Sequence, residues 1–155
     1  MKSLQRKKME KSSKPEYLAI IKLRSAINAD AKATGVLNRL RMRKKLTLAV
    51  FKNTPEILAQ MTVVKDYTTY GEIDAALFEE IMKKRGKEYK GPVEDSKKKI
   101  KYPFIAYQGK KLRPFFALHP PIGGFERGGI KKPFQLHGAL GYRGEKIKEL
   151  IARML

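Results

Sequence analysis

The chain has 155 residues, with 35 Lys and Arg against 15 Asp and Glu, a formal net charge of +20. A single domain of that charge repels itself unless an anion compensates, and a phosphate backbone does so while releasing counterions, so nucleic acid is the expected partner. The absence of cysteine excludes a disulfide framework and thiolate metal sites, and no apolar run is long enough to span a bilayer. A merely basic soluble protein is the bland alternative. An anionic membrane surface is disfavoured, because no helix combines a basic face with a strongly apolar one.

Residues 1–15 carry Lys2, Arg6, Lys7, Lys8, Lys11 and Lys14 against Glu10. That composition describes a solvated tail, or a basic arm that orders on RNA through Arg6, Lys7 and Lys8. It lacks the apolar stretch of a signal peptide, so an intracellular protein is expected.

Tyr17 to Arg24 reads as a buried strand, β-branched at its centre. Ala29, Ala33, Val36, Leu37 and Leu40 then recur at helical spacing and predict a helix over Asn28 to Met42, with Gly35 costing about 1 kcal/mol relative to alanine. Arg39, Arg41, Arg43, Lys44 and Lys45 crowd its end, where cations complement the helix dipole or grip phosphates. Leu46 to Phe51 is a second strand. Thr54 as cap and Pro55 at the first position announce a helix with Ile57, Leu58, Met61 and Val64 as its apolar stripe. Thr68 to Ile73 is a third strand. Asp74 caps another helix, whose Leu77, Phe78 and Ile81 face inward and which ends at Gly86.

The charged stretch from Lys87 to Lys101 reads as a loop. Beyond it, Tyr102, Phe104, Tyr107, Lys110, Lys111, Arg113, Phe115 and Phe116 interleave rings with cations, a pattern that stacks bases and tracks phosphates or forms a small core. Phe104 and Phe116 are read as core; Tyr102, Tyr107 and Phe115 stay open. Short strands are expected around Phe104 to Tyr107 and Phe115 to Leu118. The segment from His119 to Gly144 is dense in Gly and Pro, and a final helix from about Gly144 carries Ile147, Leu150, Ile151 and Met154 on one side. These readings divide the chain into an arm (1–15), a core (16–86) and an extension (87–155).

Catalytic readings fare poorly. The glycines between Gly123 and Gly129 lack the Gly-Lys-Ser/Thr end of a phosphate-binding loop. No carboxylate or cysteine lies at ligand spacing from His119 or His137, so stacking or hydrogen bonding suits them better than catalysis or metal binding. The acidic stretch Asp66, Glu72, Asp74, Glu79 and Glu80 fits solvated faces. No enzymatic activity, cofactor, metal or small-molecule substrate is expected.

Two core segments, Ile21-Lys22-Leu23-Arg24-Ser25-Ala26-Ile27-Asn28 and Val64-Lys65-Asp66-Tyr67-Thr68-Thr69-Tyr70-Gly71-Glu72-Ile73, resemble the large-subunit ribosomal protein family numbered thirty in the universal nomenclature. Leu118-His119-Pro120-Pro121-Ile122-Gly123-Gly124-Phe125, then Gly129 to Phe134 and Gly138 to Gly144, resemble its longer archaeal and eukaryotic form. The resemblance implies an α+β, ferredoxin-like core with a three-stranded antiparallel sheet and two helices on one face. It implies binding of large-subunit ribosomal RNA, near the 5S RNA, among neighbouring ribosomal proteins in the cytoplasm. The family often has Arg-Gly after the Thr-Pro helix start; here stand Leu58-Ala59, so any RNA contact by that arginine is missing. The expected RNA-binding residues are Arg6, Lys7, Lys8, Arg24, Arg43, Lys44, Lys45, Lys110, Lys111, Arg113, His119, Arg127, Lys131, Lys132, His137 and Arg143. A free RNA- or DNA-binding regulator or chaperone is the competing reading.

Overall fold

The computed structural model describes residues 16–155; Arg6, Lys7 and Lys8 lie outside the described residues. Strands and helices alternate as the hydrophobic periods require: β1 (Tyr17–Lys22), α1 (Ala31–Arg39), β2 (Thr47–Lys52), α2 (Pro55–Val64), β3 (Thr68–Ile73) and α3 (Ala75–Arg85). The remainder adds β4 (Ile105–Tyr107), β5 (Lys110–Leu112), β6 (Phe116–Ala117), β7 (Gly141–Tyr142) and α4 (Ile147–Met154).

β1 is central and antiparallel to both β2 and β3, which gives the expected three-stranded antiparallel core. The extension widens it. β6 joins β2 antiparallel and β7 joins β3 parallel, so the sheet runs β6-β2-β1-β3-β7. The other two strands form a separate hairpin, β4 with β5. Its turn is Gln108-Gly109, both at positive φ (48° and 76°), the geometry of a tight two-residue hairpin that glycine relieves of strain.

β1 is apolar at almost every position because both sheet faces are covered. Leu18 and Ile20 point to one side, where Ala33, Leu37 and Leu40 of the α1 region and Met61 and Val64 of α2 close a core. Ala19 and Ile21 point to the other, against Ile81 of α3, Phe116 of β6 and Ile147, Leu150 and Ile151 of α4. The helix pair α1/α2 therefore packs on one face as expected, while α3 and α4 cover the second.

Several local expectations are corrected. α1 is shorter than the apolar spacing suggested: Asn28 (φ 62°) and Arg41 (φ 61°) adopt left-handed conformations that a helix cannot include. Leu46 (φ 56°) likewise stands outside β2. Leu58 is exposed rather than part of the buried stripe of α2, whose core side consists of Met61 and Val64 with the half-buried Ile57. Phe104 is half-buried under the Lys111 ammonium, 5.2 Å from its ring centre, whereas Phe116 is fully buried. Thr54 and Asp74 occupy the cap positions without a side-chain cap hydrogen bond.

One close approach ties the extension to the core. A Cβ on Gly71 of β3 would lie 2.2 Å from the Gly144 carbonyl oxygen and 2.9 Å from Ile147 Cβ. The missing side chain lets the start of α4 sit directly on β3.

Candidate nucleic-acid interface

The sequence places cations everywhere; the fold gathers the densest set at the β2 edge. Residues after α1 turn through Arg41 and are held from inside by Lys22. Its ammonium is buried and donates to the carbonyls of Met42 (3.0 Å) and Arg43 (2.9 Å). Burial pushes this lysine's pKa below the usual lysine value. With the backbone so fixed, Arg43, Lys44 and Lys45 project into solvent. The extension then closes the other wall: the Leu118 amide donates to the Leu46 carbonyl at 2.9 Å and the Arg113 amide to the Lys87 carbonyl at 2.9 Å.

The result is a groove of about 820 Å³ lined by Arg39, Arg41, Arg43, Lys44 and Lys45 from the core and by Lys87, Arg113 and Phe115 from the extension. No carboxylate lines it. Opposed cations around a groove focus positive potential and suit a polyphosphate strand, while Phe115 adds one ring that a base or sugar can cover. The sequence alone shows Arg39 and Arg41 as part of a cluster and Phe115 as an open aromatic, whereas Lys87 stands out in it only as part of a charged stretch.

A second groove, about 740 Å³, opens at the opposite edge between β3 and β7. Arg24, Lys65, Tyr67 and Tyr70 form its core wall; Lys131, Phe134 and Tyr142 of the extension form the other, with Asp66 as the lone carboxylate in its lining. Arg24 is placed by a bond from its guanidinium to the Asp66 carbonyl (3.3 Å) and lies over the Tyr67 ring at 5.8 Å.

The remaining expected residues are scattered. Lys110 and Lys111 are exposed on the β4–β5 hairpin, and Arg127 and Lys132 are exposed on the extension. His119 is exposed with its Nε2 2.9 Å from the Arg85 guanidinium. His137 is exposed at a left-handed φ of 58°, closing a short turn of 3-10 helix over Phe134–Leu136.

Arg143 is the exception that the sequence concealed. It is buried, and its guanidinium is forked onto both oxygens of Glu126, with further donations to Thr69 Oγ1 (3.0 Å) and the Ala139 carbonyl (3.1 Å). It also lies 4.7 Å over the Phe134 ring. A guanidinium so engaged works inside the fold and does not face a phosphate. Burial alone would push the Glu126 carboxyl up; the hydrogen bonds and charge of Arg143, a backbone bond and the nearby Arg153 together hold it below the usual range.

Among the described residues no group of three or more His, Asp or Glu gathers as a metal site, and no helix is long and apolar enough to cross a membrane. No family model matches the chain. Curated relatives do. The large ribosomal subunit protein uL30 of Methanopyrus kandleri is 34% identical over 86% of this chain and 100% of its own length. Those of Hyperthermus butylicus and Nanoarchaeum equitans are each 36% identical, over 96% and 88% of this chain and 96% and 97% of their own lengths. With the α+β fold above and similarity of this extent, the chain belongs to the uL30 family of large ribosomal subunit proteins.

Proposed function

We propose that the chain is a structural constituent of the large ribosomal subunit, in the cytoplasm, and that it binds and stabilises ribosomal RNA there. The observation that carries this reading is the acid-free groove at the β2 edge, where the fold adds Lys87 and Arg113, distant in sequence, to the cation cluster of residues 39–45. A ribosomal RNA helix would lay its backbone along Arg43, Lys44, Lys45 and Arg113, with positioning by charge and without base readout. Lys110, Lys111, Arg127, Lys131 and Lys132 would add phosphate contacts from the extension, and Arg6, Lys7 and Lys8 from the arm. The neighbourhood of the 5S RNA and contacts with adjacent ribosomal proteins belong to the same reading. The role needs positioning and charge neutralisation, with no reacting group.

Reversing the groove's charge tests it. Arg43→Glu, Lys44→Glu and Lys45→Glu together should lower affinity for large-subunit ribosomal RNA by about 100-fold and flatten the log-log salt dependence by about two to three units. All three side chains are exposed, so the unfolding midpoint should stay unchanged. The wild-type chain should sediment with the large subunit; a free regulator would stay in the soluble pool. Unchanged affinity in the triple variant would sink the groove as the RNA site.

A further inference from the structure

The β3/β7 groove differs in chemistry from the basic one, and we infer that it receives an unstacked nucleotide from a single-stranded stretch of RNA, its base lying on Tyr142 and its phosphates beside Arg24, Lys65 and Lys131. This rests on the RNA-binding reading above and sharpens it to one kind of RNA at one site.

The rings around this groove differ in how far they are already covered. The Tyr67 ring is covered by Arg24 at 5.8 Å. The Phe134 ring has Arg143 at 4.7 Å and Lys146 at 5.6 Å. Tyr142 is different: it remains 51% exposed and meets Tyr70 only in a tilted contact, with centroids 5.6 Å apart at 49°. A large aromatic ring half in water beside a cationic groove offers a face on which a base can stack.

The ring is also held still. Tyr142 sits on β7, paired in register with Tyr70 of β3. The next amide, that of Arg143, donates to the Tyr70 carbonyl at 2.9 Å, and Thr69 Oγ1 donates to the Gly141 carbonyl at 3.0 Å. Opposite, the Phe134 amide donates to the carbonyl of Leu140, the residue just before β7, at 2.7 Å, so the wall carrying Lys131 and Phe134 is tied to the start of that strand. A preformed stacking platform spares a ligand the cost of ordering it.

Charge selects the occupant. Its lining holds three cations, Arg24, Lys65 and Lys131, against one carboxylate, Asp66; Glu72 and Glu145 act on the Tyr142 hydroxyl from outside that lining. That balance suits an anion carrying a flat ring. An A-form duplex keeps its bases stacked inside and offers no face to Tyr142, whereas single strands, bulges and loops do. The volume of about 740 Å³ is adequate for a nucleotide, lying within the ~300–1,000 Å³ range of small-ligand sites.

The test uses the full chain, a short single-stranded oligoadenylate carrying one central fluorescent aminopurine, and an RNA duplex of equal length. Binding of the single strand should quench the aminopurine. Tyr142→Leu, which keeps apolar bulk on β7 but removes the ring, should abolish the quench and weaken single-strand binding by about 5- to 150-fold, the worth of one stacked base. Duplex affinity should change less than about twofold. Tyr142→Phe should behave as wild type. Absence of quenching, an unaffected single-strand affinity in Tyr142→Leu, or an equal loss for duplex and single strand would each overturn the proposal. The basic-groove triple variant, measured on the duplex, reports separately on the parent reading.

Discussion

The two edges of the sheet are finished by the same extension, yet they end up chemically unlike. At the β2 edge the short antiparallel strand β6 closes a groove of arginines and lysines with no carboxylate in its lining. At the β3 edge the parallel strand β7 closes a groove of rings with a few cations, stapled from beneath by the Arg143–Glu126 pair. An exposed cation costs little to hold and acts at a distance, so the first edge needs only a rigid backbone. A stacking ring acts by contact and must be placed accurately, so the second edge needs a buried fork. The staple matters more than any single cation for the same reason that buried pairs and surface pairs differ in worth.

Removing the staple should separate the edges most clearly. Glu126→Ala leaves the Arg143 guanidinium buried with its carboxylate gone. The expected loss is about 3 kcal/mol, the low end for a broken buried pair, because the Glu126 side chain is 21% exposed. That corresponds to a fall in melting temperature of about 6–12 °C for a chain of this size. Amide exchange should accelerate at β7 and leave β6 protected; equal acceleration at both would mean the staple serves the whole fold. A smaller effect on the same edge follows from Gly71→Ala. The added Cβ collides with the Gly144 carbonyl, so the start of α4 must shift, at about 1–3 kcal/mol by denaturant titration. An unchanged midpoint would show that the contact yields freely.

Acid should sharpen the contrast most gently. The folded-state pKa of Glu126 lies below its ordinary value of 4.5. Its contribution to stability is therefore complete above that ordinary value and is lost as pH falls through the depressed folded value. The β7 edge should loosen over that acid range, as read by tyrosine fluorescence of Tyr142 and Tyr70, and Glu126→Gln should remove this component of the pH profile. The basic groove has no lining carboxylate to titrate there. A wild-type profile identical to that of Glu126→Gln would refute the assignment.

Much of this molecule is local in origin and was therefore legible. Apolar runs and helical spacing located β1, β3, α2, α3 and the terminal helix, because period and turn chemistry act over a few residues. The docking face of α4 through Ile147, Leu150 and Ile151 was readable for the same reason. The hairpin strand β5 was missed: Lys110 and Lys111 are polar, and the Gln108-Gly109 turn was the signal available. The two-residue strand β7 carries no periodicity at all.

What the amino-acid order determined by itself was the charge, the alternation of strands and helices, the apolar faces and the family resemblance, all of which depend on composition, short-range period or motif. Which cations face outward was decided only by the tertiary structure. Arg143 and Arg127 are equally basic in the sequence, but Arg143 meets Glu126 and a Thr69 that is 74 residues away, and so turns inward. Likewise Arg113 reaches the loop of Lys44 only because β6 pairs with β2. Burial and charge pairing depend on what the folded chain brings within a few ångströms, and one-dimensional spacing carries no such information.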